Sequence, residues 1–127
     1  QHVYDEAPFG YLAVAAAVLG RAVLEPDLRF VWSIVLPEDL AAGGIDKGDT
    51  DGLIDLIRLP RESEVAALIK VVDKTTVKAS LRSRGKVDVG GLAAELGGGG
   101  HHNASGFTFH GSAEAAVEEI RRRLTND

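Results

Sequence analysis

The sequence predicts an α/β fold: a single small domain in which a mixed β-sheet of about four to five strands is flanked by helices. The first observation behind this is an alternation along the chain of segments rich in β-branched and aromatic residues with segments of helical periodicity. The second is size, because 127 residues suffice for one hydrophobic core. No linker rich in proline or glycine divides the chain into further domains.

Composition narrows the class of protein. The chain is 45% apolar and 26% charged, which is ordinary for a globular protein and excludes a disordered or collagen-like chain. It has no cysteine, which excludes disulfides and thiolate chemistry and suits the cytoplasm, where we expect the protein. The net charge of −5 excludes a wholly basic nucleic-acid binder but leaves room for a local basic patch. The longest apolar stretch, Phe9–Leu19, has about 11 residues, fewer than the ~20 that span a bilayer.

The N-terminal region predicts a helix over Tyr11–Leu24. This helix is apolar almost all round, so it needs covering on more than one side. Two interpretations remain open: a central core helix, or a face that packs on a partner domain absent from this chain. The lack of methionine and the start at Gln1 lead us to expect that the chain is a piece of a longer protein.

The next segments predict one strand followed by two short helices. The strand covers Leu28–Leu36, and a helical turn follows over Glu38–Ala42. A second helix is expected from Thr50 or Asp51 to about Leu59. Acidic residues crowd this region, and a solvated face is favoured over a magnesium site formed by Asp46, Asp49, Asp51 and Asp55.

The second half of the chain predicts a hairpin, a helix, a strand and a final helix. A stretch with no regular structure is expected over Gly97–Asn103, because four consecutive glycines begin it. The predicted elements are strands Glu64–Val72 and Val77–Ser83, a helix over Val89–Leu96 after the cap Asp88, a strand over Ala104–Phe109, and a helix after the cap Ser112.

The second strand of this hairpin carries a basic face. Side chains alternate along a strand, so the apolar side chains of Val77, Ala79 and Leu81 face the core. The opposite face, toward solvent or a cleft, then carries Lys78, Ser80, Arg82 and Arg84. Five basic residues and two acidic ones lie between Asp73 and Asp88, a local positive excess in an acidic chain. A solvated strand face and an anion-binding face both fit this pattern.

The glycine run suggests a second part of the same site. Glycines let backbone N–H groups turn toward an anion or let a ligand approach the main chain closely, although a flexible loop also fits. Polar side chains that can hold phosphate oxygens follow the run directly: His101, His102, Asn103 and Ser105. The run is not a P-loop, because no Gly-Lys-Ser/Thr follows, nor a dinucleotide fingerprint, because it leads into a strand.

The sequence offers no catalytic or metal-binding set. Adjacent histidines rarely point at one ion, and no carboxylate accompanies His101, His102 and His110 at a recognised spacing. There is no cysteine and no Gly-x-Ser-x-Gly nucleophile elbow. We therefore expect no metal ligand and no catalytic residue in this chain.

Taken together, these motifs resemble one family. Ser80-Leu81-Arg82-Ser83-Arg84-Gly85, the short helix opened by Asp88, and Gly97–Gly100 followed by His101-His102-Asn103-Ala104-Ser105-Gly106 are similar to the C-terminal DHH-associated domain of DHH phosphoesterases. Within that family the chain resembles the branch of nanoRNA-degrading oligoribonucleases and 3′-phosphoadenosine-5′-phosphate phosphatases. The strong match covers about Glu64–Leu124. The resemblance implies a division into a connector with the apolar helix over residues 1–27 and the DHH-associated domain over residues 28–127.

The resemblance also implies a division of labour. In the family a separate N-terminal domain binds two manganese ions through Asp and His ligands that this chain lacks, so the chain alone is expected to be inactive. The chain would be the substrate-binding half of an enzyme acting on short RNA, adenosine bisphosphate or cyclic dinucleotides. By position, Arg82 and Arg84 would neutralise a phosphate or stack on a base, and Gly98, Gly99 and Gly100 would present N–H groups. His101 would contact the phosphate next to the scissile bond, supported by Asn103 and Ser105, while the family often has lysine at the position of His102.

Two other functions remain open at this stage. One is a nucleic-acid-binding module without enzymatic activity, like the related domain at the end of alanyl-tRNA synthetases; the pattern after the glycines is closer to the phosphoesterases. The other is a regulatory or dimerisation module whose interface is the apolar helix, in which case the partner is a second copy of the chain.

Overall fold

The computed structural model of the chain, which describes residues 6–126, contains a six-stranded mixed β-sheet with helices on both faces. The helices are α1 (Gly10–Gly20), α2 (Pro37–Gly43), α3 (Ile54–Ile57), α4 (Val89–Glu95) and α5 (Ala113–Thr125). The strands are β1 (Val23–Glu25), β2 (Phe30–Val35), β3 (Val65–Asp73), β4 (Thr76–Ser83), β5 (Gly99–His101) and β6 (Ala104–His110).

The strand order is β1-β2-β3-β4-β6-β5. Only β2 and β3 pair in parallel, because α2 and α3 lie between them and carry the chain back across the sheet. The other neighbouring strands are antiparallel. The predicted α/β class with a mixed sheet is confirmed, and the strand count is slightly higher than predicted because three-residue strands lie at both edges.

Two apolar clusters lie on opposite faces of the sheet. One packs α4 and α5 against the sheet along its length, from Phe30 on β2 to Phe107 on β6. The other packs α1, α2 and α3 against β2 and β3 alone, through Val31, Ala66 and Leu68. Among residues 6–126, the helices of this second layer therefore leave the same face of β4, β6 and β5 uncovered, and this area is the open sheet face.

Several predicted boundaries were wrong. The helix predicted to continue to Leu24 ends at Gly20, because Val23–Glu25 pairs with β2 as an edge strand. The following strand begins at Phe30 rather than at Leu28, because Pro26–Leu28 forms a turn of 3-10 helix. The hairpin strands reach Asp73 and Thr76, so only two residues remain in their turn.

The helix predicted from Thr50 to Leu59 is also different. Residues Lys47–Leu53 form a 3-10 helix that begins at Asp46, and only Ile54–Ile57 is α-helical. The Asp46 N–H donates to the Asp49 carboxylate (3.1 Å), so the chain turns four residues earlier than expected. The predicted caps Asp88 and Ser112 are confirmed: their side chains accept hydrogen bonds from Gly91 N and Ala115 N.

The apolar N-terminal helix has one buried side and one exposed side, so its burial agrees with a core helix on one side and leaves packing on a partner domain a prediction. Val14, Ala15 and Val18 of α1 are buried in the second cluster. The outer side, with Phe9 and Leu12, is exposed, Phe9 by 88%. None of the helices within residues 6–126 is long and apolar enough to cross a membrane.

Two polar contacts tie distant parts of the chain together. Arg121 of α5 donates to both carboxylate oxygens of Glu25 on β1 (2.8 and 2.6 Å), and the Trp32 indole N–H donates to the same carboxylate. Arg21 donates two hydrogen bonds to the Asp39 carboxylate (2.8 and 2.9 Å). These arginines lower the pKa of the Glu25 and Asp39 carboxyls below their ordinary values.

Candidate ligand-binding face

The open sheet face is built by strand register. Residues that pair across antiparallel strands point to the same side of the sheet. Arg82 and Ser80 of β4 pair with Ala66 and Leu68 of β3. Because Ala66 and Leu68 pack against the layer of α1–α3, Arg82 and Ser80 point to that same side. The register then places three rows on the open face: Arg82–Ala104–His101, Ser80–Gly106–Gly99 and Lys78–Thr108. Val77, Ala79 and Leu81 are buried against the other layer, so the predicted alternation along β4 is confirmed.

Arg82 and His101 form the two walls of the first row. Two strand spacings separate them, about 10 Å between Cα atoms, and only the methyl group of Ala104 stands between. The next row contributes Ser80 with two glycines, so the floor beside these walls is flat and lacks bulky side chains. Such a surface lets a planar or backbone-like ligand lie close to the sheet between an arginine and a histidine.

Arg82 has a neighbouring carboxylate that the sequence did not suggest. Asp55 of α3 places Oδ1 at 3.9 Å from Nε of Arg82 and at 3.9 Å from an Nη of Arg58. Asp55 is exposed, and neither distance is a hydrogen bond, so the attraction is weak and screened by water. Arg82 keeps guanidinium N–H groups available beside its one hydrogen bond to Leu81 O (3.0 Å).

The glycine run is partly regular, which corrects the prediction for Gly97–Asn103: Gly99–His101 is strand β5, paired with β6. Gly98 must be glycine, because a Cβ there would lie 2.1 Å from Gly106 O. Its N–H donates to Ala93 O (2.8 Å), so this predicted anion donor is used within the fold. Gly100 has φ +148°, a conformation that favours glycine.

Gly99 is the exception in the run. A Cβ at Gly99 would meet nothing within 4 Å, and its φ is not in the left-handed region. Gly99 pairs with Gly106 on the open face, and Gly106 pairs on its other side with Ser80. The fold therefore explains the neighbouring glycines but gives no steric reason for this one, and the space above it is available to a ligand.

The other predicted polar residues after the glycines hold the β5–β6 hairpin. The His102 Nε2–H donates to Gly85 O (2.8 Å), and Nδ1 lies 3.6 Å from the Asp88 carboxylate. Ser105 donates to Val89 O at the start of α4 (2.6 Å). The backbone oxygen of Asn103 accepts from Ser83 N (3.0 Å). These residues belong to the predicted group, but their contacts position His101 rather than face the floor.

Arg84 is also occupied by the fold. It lies one residue past the end of β4, and its Nε donates to Ser63 O (2.8 Å). One Nη donates to the oxygens of Arg58, Leu59 and Pro60 (3.0–3.1 Å). The guanidinium thus fixes the segment after α3. This segment includes Arg58, which lies near Asp55 at the edge of the open face. Alternation along β4 could not show this, because the acceptors come from about 21 to 26 residues earlier in the chain.

No metal-ligand group is found among residues 6–126: nowhere do three His, Asp or Glu side chains come together. The four aspartates weighed as a magnesium site have separate surroundings, with Asp51 on Lys70, Asp55 near two arginines and Asp49 at a helix start.

The chain is similar to proteins that are more than twice its length. It is 38% identical over 95 residues to the bifunctional oligoribonuclease and PAP phosphatase NrnA of Thermus thermophilus, a match that covers 71% of this chain and 28% of that protein. An exopolyphosphatase-related protein from Bacteroides fragilis superimposes with a TM-score of 0.88 at 30% identity, over 98% of this chain and 36% of that one.

Two more distant structures share the fold alone. The pGpG-specific phosphodiesterase PggH from Vibrio cholerae has a TM-score of 0.63 at 14% identity, over 92% of this chain and 38% of that one. The C-Ala domain of Aquifex aeolicus alanyl-tRNA synthetase has a TM-score of 0.54 at 13% identity, over 76% of this chain and 89% of that one.

The family comparison agrees with the motifs on the open face and its hairpin. The model of the DHHA1 domain matches residues 30–126, which extends the similarity further toward the N-terminus than the motifs alone indicated. The match does not include residues 1–27, so their role as a connector stays a prediction. The chain belongs to the DHHA1 domain family, whose model matches about three quarters of its residues.

Proposed function

We propose that this chain is the substrate-binding domain of a manganese-dependent phosphoesterase that hydrolyses short oligoribonucleotides or related nucleotides, such as adenosine bisphosphate or cyclic dinucleotides. The oligoribonuclease named above supports the substrate class, since it shares 38% of its residues with this chain over 95 positions. The chain spans only 28% of that relative's length, so the activity would depend on a further, catalytic domain. A phosphoesterase of this kind is expected in the cytoplasm.

The observation that carries the proposal is the row of Arg82, Ala104 and His101 on the open sheet face. An arginine can donate two hydrogen bonds to one phosphate, and a histidine on the opposite side can donate a third. The glycines and Ser80 in the next row leave room for a sugar or a base beside that phosphate. Arg82 and His101 bind substrate in this proposal, and neither residue is assigned a chemical step.

The catalytic metal is assigned to the partner domain. Manganese bound there would activate water for attack on the phosphoester. Within residues 6–126 the side chains do not offer a ligand set for it, so this chain would hold and orient the substrate. His102, Asn103, Ser105 and Arg84 act on the site indirectly, by fixing the β5–β6 hairpin and the end of α3.

The proposal is tested by calorimetric titration of the chain with a 5′-phosphorylated diribonucleotide, with and without manganese. We expect weak, salt-sensitive binding that is indifferent to manganese and accompanied by no hydrolysis. The substitution Arg82→Ala should weaken binding by roughly 1.5–3 kcal/mol, the range for a hydrogen bond to a charged group. Its unfolding free energy should stay nearly unchanged, because within residues 6–126 the Arg82 side chain makes only one hydrogen bond, to Leu81 O of its own strand.

The control is Arg122→Ala, which removes an arginine from the exposed side of α5, where it pairs with Glu119. This variant should bind the diribonucleotide like the wild type. Equal binding by Arg82→Ala and the wild type would refute the placement of the site. Preference for a structured RNA over the diribonucleotide would instead favour the RNA-binding function of the alanyl-tRNA synthetase type.

A further inference from the structure

The open sheet face has a second cationic end, away from Arg82. Lys78 lies on β4 four residues before Arg82, on the same face, and Thr108 of β6 lies directly opposite it. Lys78 is exposed, and no carboxylate pairs with its ammonium group within the described part of the chain. It is therefore free to contact a ligand.

Lys78 also has an unusual neighbour. Its partner on β3 is Lys70, and like charges directly opposite each other in a sheet repel. Lys70 is buried, and its ammonium group donates to the Asp51 carboxylate, which neutralises it. Two lysines and one aspartate leave one net positive charge at this end of the face. The other end is similar, where Arg58 and Arg82 surround the single carboxylate of Asp55.

The two ends are too far apart to hold the same phosphate. Four residues of a strand span about 13 Å, and side chains stand roughly perpendicular to the sheet, which keeps the two cationic groups apart. Between them lie Ser80, Gly106 and Gly99, which are small and uncharged. The face therefore alternates positive, neutral and positive along β4.

We propose that Lys78 and Thr108 form a second anion subsite, so that the face binds an oligonucleotide with two phosphates on either side of at least one nucleoside. Lys78 supplies the charge, and the Thr108 hydroxyl donates a hydrogen bond to the same phosphate. This inference rests on the proposed function, because it takes the Arg82 end as the first phosphate subsite. It adds a second phosphate contact to that function, so that Lys78 makes the affinity depend on the length of the oligonucleotide.

The test compares AMP, which has one phosphate, with 5′-phosphorylated triadenylate, which has three. Both are titrated into the wild type, Lys78→Ala, Arg82→Ala and the control Lys86→Ala. Lys86 is a matched control because it lines the cavity beside α4 and α5, on the opposite face of the sheet. We expect Lys78→Ala to weaken triadenylate binding about tenfold and to leave AMP binding within about twofold of wild type.

Salt dependence gives a second readout. Each neutralised phosphate of a single strand contributes about −0.7 to the slope of log K against log salt. Lys78→Ala should therefore reduce the slope for triadenylate by about one phosphate and leave the slope for AMP unchanged.

The outcomes separate the two proposals. If Arg82→Ala weakens both ligands but Lys78→Ala binds triadenylate like Lys86→Ala, the second subsite is refuted and the proposed function stands. If Lys78→Ala weakens AMP as much as triadenylate, Lys78 acts on the first phosphate and the length argument is wrong. If the wild type binds neither ligand, or Arg82→Ala weakens neither, the proposed function fails and the subsite fails with it.

Discussion

Two adjacent glycines of the β5–β6 hairpin should respond in opposite ways to the same substitution. In Gly98→Ala the added methyl carbon would lie 2.1 Å from Gly106 O and 2.6–2.7 Å from Phe107, whereas ordinary contact begins at 3.4 Å. All the atoms it meets belong to the backbone or to a buried Cβ of β6, so they cannot move aside alone. The hairpin would have to open by roughly 1 Å, which is overpacking that costs about 1–3 kcal/mol of unfolding free energy.

Gly99→Ala is the matched control, because its methyl group would enter open space and its φ needs no glycine. Alanine leaves the unfolded chain fewer conformations than glycine does. This variant should therefore be as stable as the wild type or more stable by about 0.4–1 kcal/mol. Urea denaturation followed by circular dichroism measures both variants, with equal m-values expected. Equal midpoints for the two variants would refute the geometry of the hairpin.

Gly99→Ala has a second use. Its methyl group would stand on the open sheet face, in the row of Ser80 and on the far side of Gly106 from it, so nucleotide binding should weaken although the fold is intact. Titration with the 5′-phosphorylated diribonucleotide measures this. Wild-type affinity in Gly99→Ala would mean that no ligand group approaches the main chain at this position.

Three further predictions concern charges. Asp55→Asn should strengthen binding of the 5′-phosphorylated diribonucleotide about two- to fivefold, because the carboxylate 3.9 Å from Arg82 competes weakly with the phosphate. Arg84→Lys should lower the unfolding free energy by about 1–3 kcal/mol, because lysine cannot reproduce hydrogen bonds to four carbonyl oxygens. The unfolding free energy should also fall as the pH decreases from about 5 toward 2, measured by urea denaturation at each pH. The reason is that folding lowers the pKa values of the Glu25 and Asp39 carboxyls. The ionised carboxylates therefore stabilise the fold at pH values above their unfolded pKa, and this stabilisation is lost as the carboxylates are protonated in acid.

Each of these predictions has its own control. Asp27→Asn removes a carboxylate from the opposite edge of the sheet and should leave nucleotide binding unchanged; an equal gain would mean that net charge alone acts. Lys74→Arg, in the turn between β3 and β4, should leave stability unchanged where Arg84→Lys lowers it. Arg121→Met removes the hydrogen bonds to Glu25 and should flatten the acid dependence, and an unchanged profile would contradict the role of that pair.

The fold class and the basic face could be predicted from the sequence because both depend on local periodicity. Alternation along Val77–Ser83 separates the buried side chains from the polar ones whatever the strand pairs with, and the caps Asp88 and Ser112 act within one helical turn. The strand Ser80–Ser83, the helix opened by Asp88 and the glycine run with its following histidines together indicated the family.

Only the tertiary structure decided which of those polar residues share a surface. Arg82 and His101 share one row of the open face because β6 pairs with both β4 and β5, a register that depends on backbone hydrogen bonds between segments distant in sequence. Arg84 turns away to carbonyl oxygens that the crossover from β2 to β3 brings beside it. The sequence by itself determined the elements and their polar faces through local sterics and hydrogen bonding, whereas the neighbours of each face depend on long-range packing.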